Sequence, residues 1–162
     1  MDRAQFINLV NDEQEQFRKF LLALCCGNRD ESDDIAQEAL IKAYLSSSGY
    51  QDKGKFTAWL YKIAYNTFLD HCKSLRTLSP IDTCQHIAGG NTADKTFQYQ
   101  DLYRALDELP SKERSSILLF YIKGYSVREI SKIIDASEDA IKKQLSRGRE
   151  HLKQKLGDRQ SL

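Results

Sequence analysis

The sequence has 162 residues, enough for one domain or two small ones, and 41% of them are apolar, which is enough to form a hydrophobic core. Its formal net charge of +1 is low for a protein that binds DNA alone, because non-specific affinity comes from neutralised phosphates. No apolar run is long enough to span a membrane, and the start lacks the basic-then-apolar order of a signal peptide, so we expect a cytosolic protein without membrane insertion.

The charges are unevenly distributed along the chain. Residues 1–40 contain nine acidic and four basic side chains, whereas residues 41–76 contain six Lys or Arg and two acids. We therefore expect an acidic face and a basic face, and two kinds of partner.

The first predicted element is a helix over residues 5–27, which ends at Gly27-Asn28 because glycine readily closes a helix. Polar residues at 11–16 interrupt its apolar pattern, so two shorter helices remain possible. The apolar side chains share a broad face; they are Phe6, Leu9, Val10, Phe17, Phe20, Leu21 and Leu24.

Residues 30–44 predict a second helix with two different faces. Ile35, Ala39 and Ala43 recur every four residues and form a buried stripe, so the residues between them point elsewhere. Those residues include Asp34, Gln37, Glu38 and Ile41. A solvated face would explain the acids, but the apolar Ile41 beside them favours a contact surface.

A loop over residues 46–55 carries Tyr50, Lys53 and Lys55 and leads into a helix over residues 56–74. The apolar side of this helix comprises Phe56, Trp59, Leu60, Ile63, Ala64, Thr67 and Phe68; its margins carry Tyr61, Lys62, Tyr65 and Asn66, followed by Lys73 and Arg76. Rings interleaved with cations are typical of a surface for single-stranded nucleic acid, since bases stack on rings and cations follow phosphates. Burial explains most of the rings equally well, and it is the better explanation for Phe56 and Trp59.

Helical periodicity is lost from about residue 75 to residue 96. A structureless stretch of that length is uncommon inside a compact domain, so we assign residues 77–96 to a flexible linker. The predicted fold is all-α, with two small helical domains over residues 1–76 and 97–162.

The second domain begins with helices predicted over residues 97–109 and 111–123, the latter burying Ile117, Leu118 and Tyr121. Ser126 and Glu129 then form a capping box that starts a third helix, which Asp135-Ala136 breaks. Ser137 can cap a fourth helix. A short capped helix, a tight turn and a second helix predict a helix-turn-helix.

The fourth helix has an apolar face and a basic face. Ala140, Ile141, Leu145 and Leu152 are apolar, and the outer face carries Lys142, Lys143, Gln144, Ser146, Arg147 and Arg149. An ordinary helical hairpin with a solvated cationic face would give a similar pattern. We favour DNA contact because the acids cluster at the start of the helix and the bases follow, which leaves a face that attracts phosphate.

Four cysteines, Cys25, Cys26, Cys72 and Cys84, are expected to be reduced thiols. Two of them lie near histidines, but paired CxxC spacing is absent, so we predict no metal site. The histidines are scattered, and no nucleophile lies near a base in a recognisable motif. We therefore predict neither catalytic residues nor a cofactor.

Taken together and in order, five stretches of the sequence are similar to the small extracytoplasmic-function (ECF) sigma factors of bacterial RNA polymerase. They are residues 33–40, residues 56–66 with Asp70, Leu109-Pro110, residues 124–126 and residues 129–131. The resemblance covers nearly the whole chain, and the combination is far more specific than a helix-turn-helix alone.

The resemblance implies a promoter-specific transcription initiation factor. It implies that the polymerase clamp binds Asp34, Gln37, Glu38 and Ile41. It also implies that the first domain melts the −10 element and holds a flipped base, with Tyr50, Lys53, Lys55, Lys62 and Asn66 as contacts; Lys73 and Arg76 extend that basic set. The second domain would read the −35 element. Core polymerase, promoter DNA and an anti-sigma protein are the implied partners.

Two other functions remain open on the sequence. The first is an autonomous helix-turn-helix regulator, with the first domain as a sensor or dimerisation module. The second is a helical adaptor that binds only proteins.

Overall fold

The computed structural model describes residues 1–50, 55–78 and 100–160, with the backbone alone at 75–78 and 158–160. Seven α-helices and one 3₁₀ turn occur in these ranges, without a strand, which confirms the predicted all-α fold class. The helices are α1 (Arg3–Leu24), α2 (Arg29–Ser46), α3 (Phe56–Leu78), α4 (Gln100–Asp107), α5 (Ser111–Tyr121), α6 (Val127–Ile134) and α7 (Glu138–Gln160), and the 3₁₀ turn is Ser47–Gly49. The predicted linker, apart from residues 77 and 78 in α3, lies outside the described residues.

Helix α1 is a single helix, so the alternative of two shorter helices is wrong. Asp2 and Gln5 form a capping box at its start, in which Gln5 N–H donates to Asp2 Oδ1 over 2.8 Å. The apolar positions before and after the polar segment 11–16 stay in helical phase, and Phe17 and Phe20 are buried. The helix ends at Leu24, and Gly27, with φ +88°, lies in the turn to α2.

The cysteines in the described part of the chain are all buried and unbridged. Cys25 and Cys26 follow α1, and Cys72 lies on α3. Burial raises the pKa of Cys26 to about 12 and raises that of Cys25 well above its usual value. Both thiols therefore stay protonated at neutral pH. Among the described residues, no three His, Cys, Asp or Glu side chains lie close enough to hold a metal ion.

The helix-turn-helix is built by α6 and α7 and packs on α5. Helices α5 and α7 cross so closely at Gly148 that a Cβ there would overlap the side chain of Ile117 and lie 3.5 Å from Glu113 Cβ. Ile117 is buried in the same core as Ile141 and Leu145 of α7. A larger residue at this crossing would therefore force the side chain of Ile117 to move.

We expect Gly148→Ala to destabilise the protein by about 1–3 kcal/mol, because the added methyl overpacks a buried contact. The matched control is Gly157→Ala on the same helix, where nothing lies within 4 Å of the new Cβ. This control should be neutral or stabilising by about 0.5–1 kcal/mol, since alanine favours the helix. Urea unfolding measures the stability of both variants. Equal stabilities of Gly148→Ala and Gly157→Ala would contradict the close crossing.

The N-terminal and C-terminal halves of the chain pack against each other, which nothing in the sequence predicts. Arg114 on α5 is 1% exposed and donates to three backbone carbonyls: Leu24 at the end of α1 over 2.9 Å, Leu106 in the last turn of α4 over 2.9 Å, and Leu109 just after α4 over 3.1 Å. One guanidinium therefore satisfies carbonyl groups at two helix ends, one from each half.

A second contact between the halves surrounds Glu13 of α1. Its carboxylate accepts from Tyr61 Oη of α3 over 2.8 Å and forms an ion pair with Lys123, which follows α5. The Lys123 ammonium lies 5.2 Å from the centroid of the Tyr61 ring, and the Tyr125 ring meets Tyr61 edge-on. Burial, followed by the Glu13 hydrogen bond, raises the pKa of Tyr61 above its usual value. Its hydroxyl therefore remains a donor at any physiological pH.

Candidate functional site

The residues predicted for the first contact surface all lie exposed on α2. Asp34, Gln37, Glu38 and Ile41 fall within an arc of about 100° on the helix, while Ile35, Ala39 and Ala43 face the core. Leu45 extends the same arc by one turn. We call the set Asp34, Gln37, Glu38, Ile41 and Leu45 the acidic–apolar stripe.

The acidic–apolar stripe combines apolar exposure with negative charge. Ile41 is 54% exposed and Leu45 is 73% exposed. Glu38 pairs with Lys42 over 3.3 Å, whereas Asp34 has no ion-pair partner among the described residues. Exposed apolar side chains bordered by charges are typical of a protein-binding surface. Leu45 was missed in the sequence, although its spacing of four residues from Ile41 could have identified it.

Four of the predicted −10 contacts form a second surface along α3. Lys55 immediately precedes the helix, and Lys62, Asn66 and Lys73 follow at intervals of seven, four and seven residues. All four are exposed within an arc of about 40°. We call them the basic stripe. Lys53 and the side chain of Arg76, which were predicted for the same surface, lie outside the described residues.

An aromatic pair stands at the N-terminal end of the basic stripe. Tyr50 and Trp59 are both half-buried and stack with ring centroids 4.5 Å apart and an interplanar angle of 27°. Phe56 beneath them is buried, as predicted for a core residue. Trp59 was predicted to be core as well, but the stack leaves part of its ring at the surface.

Two other tyrosines of α3 are not at the helix margin, where the sequence placed them. Tyr61 and Tyr65 are buried, with exposed fractions of 0% and 2%. Tyr61 packs edge-on against Phe17 and Phe20 of α1, with centroids 5.6 and 5.2 Å apart, so its ring belongs to the core.

The local geometry of the helix-turn-helix agrees with its predicted caps. Glu129 N–H donates to Ser126 Oγ over 3.2 Å, and Ser126 N–H donates to Glu129 Oε1 over 3.1 Å, which completes the capping box of α6. Asp135 closes that helix in the left-handed region with φ 62°. Ser137 Oγ then accepts from Ala140 N–H over 3.1 Å and starts α7.

Only part of the predicted basic face of α7 is directed outward. Lys142, Lys143, Ser146 and Arg147 are exposed on one side, opposite the buried Ile141 and Leu145. Arg147 has no ion pair with Glu150 or with any other described acid. We call the four exposed residues the α7 outer face.

Gln144 and Arg149 are turned toward α5 instead. Gln144 Oε1 accepts from Ser116 Oγ over 2.6 Å. Arg149 Nε donates to Tyr121 Oη over 2.7 Å, and its guanidinium lies over the Phe120 and Tyr121 rings. The structure therefore offers neither side chain freely to a DNA groove. Tyr121, predicted to be buried, is 59% exposed because it lies at this edge of the helix pair.

Two family models match the chain, one in each half. "Sigma-70 region 2" matches residues 9–77, which include both stripes, and "Sigma-70, region 4" matches residues 99–152, which include the helix-turn-helix.

Curated relatives and solved structures agree with these matches. The chain is 28% identical to the ECF RNA polymerase sigma factor SigW of Bacillus subtilis, over 97% of this chain and 91% of that protein. It is 24% identical to SigM of Mycobacterium tuberculosis, over 96% and 79% respectively. Its fold is similar to that of RpoE in complex with the anti-sigma factor NepR from Bartonella quintana, with a TM-score of 0.83, 22% identity and coverage of 94% and 97%. CnrH in complex with the cytosolic domain of CnrY gives a TM-score of 0.73, 20% identity and coverage of 97% and 90%.

Proposed function

We propose a function from one premise: this chain belongs to the ECF group of the sigma-70 family. It is an alternative sigma factor, which binds core RNA polymerase and directs transcription initiation at specific promoters. The observation that carries this conclusion is that sigma-70 regions 2 and 4 both match, in order, along one chain. A sigma factor acts by binding, and it needs no catalytic residues of its own.

The acidic–apolar stripe is our proposed contact with the polymerase clamp. Its exposed Ile41 and Leu45 can be buried against a partner, and the neighbouring Asp34 and Glu38 supply charge that selects and orients it. Core polymerase then provides most of the DNA affinity, which explains how a chain with a net charge of +1 can act at promoters.

The basic stripe and the Tyr50–Trp59 pair form our proposed −10 surface. Cations in line along α3 can follow the phosphates of a single strand, and the stacked rings beside Lys55 offer an aromatic surface to an unpaired base. Lys53 and Arg76 belong to this proposal by sequence. The α7 outer face forms our proposed −35 surface, from which Gln144 and Arg149 are left out because of their bonds to α5.

The packed arrangement of the two halves must open on a promoter. The −10 and −35 elements are centred about 25 base pairs apart, or about 85 Å at 3.4 Å per base pair. A compact chain of this length has a radius of gyration of about 15 Å. It therefore cannot reach both elements at once, and we propose that the contacts of Arg114 with Leu24 and of Lys123 with Glu13 break when the factor binds core polymerase.

We further propose an anti-sigma protein as the partner that keeps the factor off polymerase. This rests on the ECF membership and on the fold shared with RpoE, which is solved in complex with the anti-sigma factor NepR.

Among the described residues, no helix has the length and hydropathy to cross a membrane.

A gel shift with a promoter fragment, in the presence and absence of core polymerase, tests the function. We expect a shift with the chain and core together and none with the chain alone. A shift by the chain alone would favour the autonomous helix-turn-helix regulator. No shift under either condition would favour the protein-binding adaptor.

We expect Tyr50→Ala to impair melting of the −10 element, because stacking of an unpaired base on a ring contributes about 1–3 kcal/mol. Tyr50→Phe is the matched control, since it keeps the ring and its stack on Trp59. Permanganate reactivity of exposed thymines measures melting, and a premelted template should restore much of the loss. Normal melting by Tyr50→Ala would assign Tyr50 a purely structural role.

We expect Arg147→Ala to flatten the preference at one −35 position. A guanidinium can donate to guanine O6 and N7 together, for about 1–3 kcal/mol of discrimination, whereas the lysines are better placed for phosphates. Lys142→Ala is the comparison and should weaken all promoters alike and lower the salt dependence of binding. Transcription from promoters randomised across the −35 element distinguishes the two; an unchanged profile for Arg147→Ala would show that other residues, or DNA shape, carry the specificity.

A further inference from the structure

Several contacts between the two halves meet at one side chain, Lys123, which follows α5. Its ammonium forms an ion pair with Glu13 of α1 and donates to Gln16 Oε1 over 2.7 Å. It also lies 5.2 Å from the centroid of the Tyr61 ring of α3, within the range of a cation–π contact. The side chains of Lys123 and Glu13 are only 9% and 12% exposed. We call Lys123, Glu13, Gln16 and Tyr61 the Lys123 cluster.

The packed arrangement depends on charge at the Lys123 cluster. The three residues that contact the Lys123 ammonium there, Glu13, Gln16 and Tyr61, all belong to the N-terminal half, so each contact is lost when the halves separate. A nearly buried charge whose partner is removed is strongly unfavourable, because it is neither hydrated nor neutralised. In the separated arrangement the same charge reaches water. Removal or reversal of one charge in the cluster therefore favours separation.

The packed arrangement covers none of the three proposed binding surfaces. Every residue of the acidic–apolar stripe, the basic stripe and the α7 outer face is exposed in it. What packing limits is reach, since the two promoter elements lie about 85 Å apart and a compact chain of this length has a radius of gyration of about 15 Å. The packed chain can therefore contact one element at a time, and only promoters that need both elements require separation.

We infer that the Lys123 cluster is an autoinhibitory latch, which keeps the free factor packed and lowers its activity at promoters with both elements. The apparent affinity for such a promoter is the intrinsic affinity reduced by the fraction of chains that are separated. A weaker latch raises that fraction and so raises activity, although all DNA contacts stay the same. The effect on transcription rests on the function proposed above, whereas the effect on packing does not.

Small-angle X-ray scattering of the full chain, without polymerase, tests the latch itself. Lys123→Glu places a second carboxylate beside Glu13, and we expect the radius of gyration to rise from about 15 Å to about 20 Å, as for two compact halves that no longer pack. Lys112→Glu makes the same change of charge at an exposed position of α5 and should stay near 15 Å. The exchange Glu13→Lys with Lys123→Glu should restore packing. A packed Lys123→Glu chain, or a separated exchange variant, would overturn the latch.

Transcription with core polymerase and limiting factor tests the autoinhibition. We expect Lys123→Glu to be at least about fivefold more active than the unchanged chain at a promoter with both elements. The two should agree within about twofold on a premelted −10 template without a −35 element. A misfolded variant cannot produce such a gain. No gain at the complete promoter, or an equal gain on both templates, would overturn the autoinhibition. Inactivity of the unchanged chain with core on every template would instead contradict the proposed function, and the scattering experiment would still decide the latch.

Discussion

The double substitution Asp34→Lys with Glu38→Lys is expected to abolish co-purification with core RNA polymerase. Both side chains are exposed and lie off the buried face of α2, so helical content should not change. Like charges brought together at an interface cost several kcal/mol, and the substitution also replaces the acidic partner of Lys42 with a second cation. Circular dichroism checks the fold, and affinity capture of tagged core enzyme checks the binding.

The matched control for this double variant is Asp12→Lys with Glu15→Lys. It makes the same change of charge at two exposed positions of α1, away from the acidic–apolar stripe. Core binding should survive in the control. Undiminished binding by the α2 double variant, or equal loss in both, would show that the stripe is not the polymerase contact.

Replacement of Arg114 by methionine should cost about 3 kcal/mol or more of unfolding free energy. Methionine keeps much of the volume but removes the guanidinium donor from three carbonyls. Leu106 O keeps its bond from Leu109 N–H, whereas the carbonyls of Leu24 and Leu109 lose a strong donor, and a buried acceptor without a partner costs about 1–3 kcal/mol. In a chain of this length that free energy lowers the melting temperature by about 6–12 °C.

Arg128→Met is the control for Arg114→Met. Arg128 is exposed on α6, and removal of a surface charge there should change stability by no more than about 0.5 kcal/mol. Thermal unfolding followed by circular dichroism compares the two. If Arg114→Met also changes stability by no more than about 0.5 kcal/mol, water replaces the guanidinium at all three carbonyls.

Features set by neighbouring residues were predictable from the sequence. The capping box at Ser126 and Glu129, the break at Asp135 and the exposed face of α2 all depend on spacing within one segment. Their hydrogen bonds and their helical faces need no knowledge of the remaining chain, because they are formed over three or four residues.

Features set by packing between distant segments were not predictable. Tyr61 has the spacing of a margin residue, and only its contacts with Phe17, Phe20 and Glu13 make it a core residue. Gln144 could have faced DNA or α5, and the hydroxyl of Ser116 decides the direction of its amide. The role of each residue depends on a partner far away in the sequence.

The contact between the two halves was the largest feature that the sequence did not reveal. A polar stretch between helical segments indicates separate units, but it gives no information on whether those units pack together. In the sequence, Arg114 cannot be distinguished from an ordinary surface arginine on a short helix. Its burial is explained only by the position of Leu24 beside it.

Start-site mapping in a reconstituted transcription reaction tests the central claim most directly. Core RNA polymerase would transcribe a library of genomic fragments with and without the purified chain, and the 5′ ends of the transcripts would be sequenced. We expect new start sites only when the chain is present, preceded by one shared −10 motif and one shared −35 motif at a fixed spacing, and lost with Asp34→Lys/Glu38→Lys. The same start sites from core alone and from core with the chain would contradict the assignment as a sigma factor.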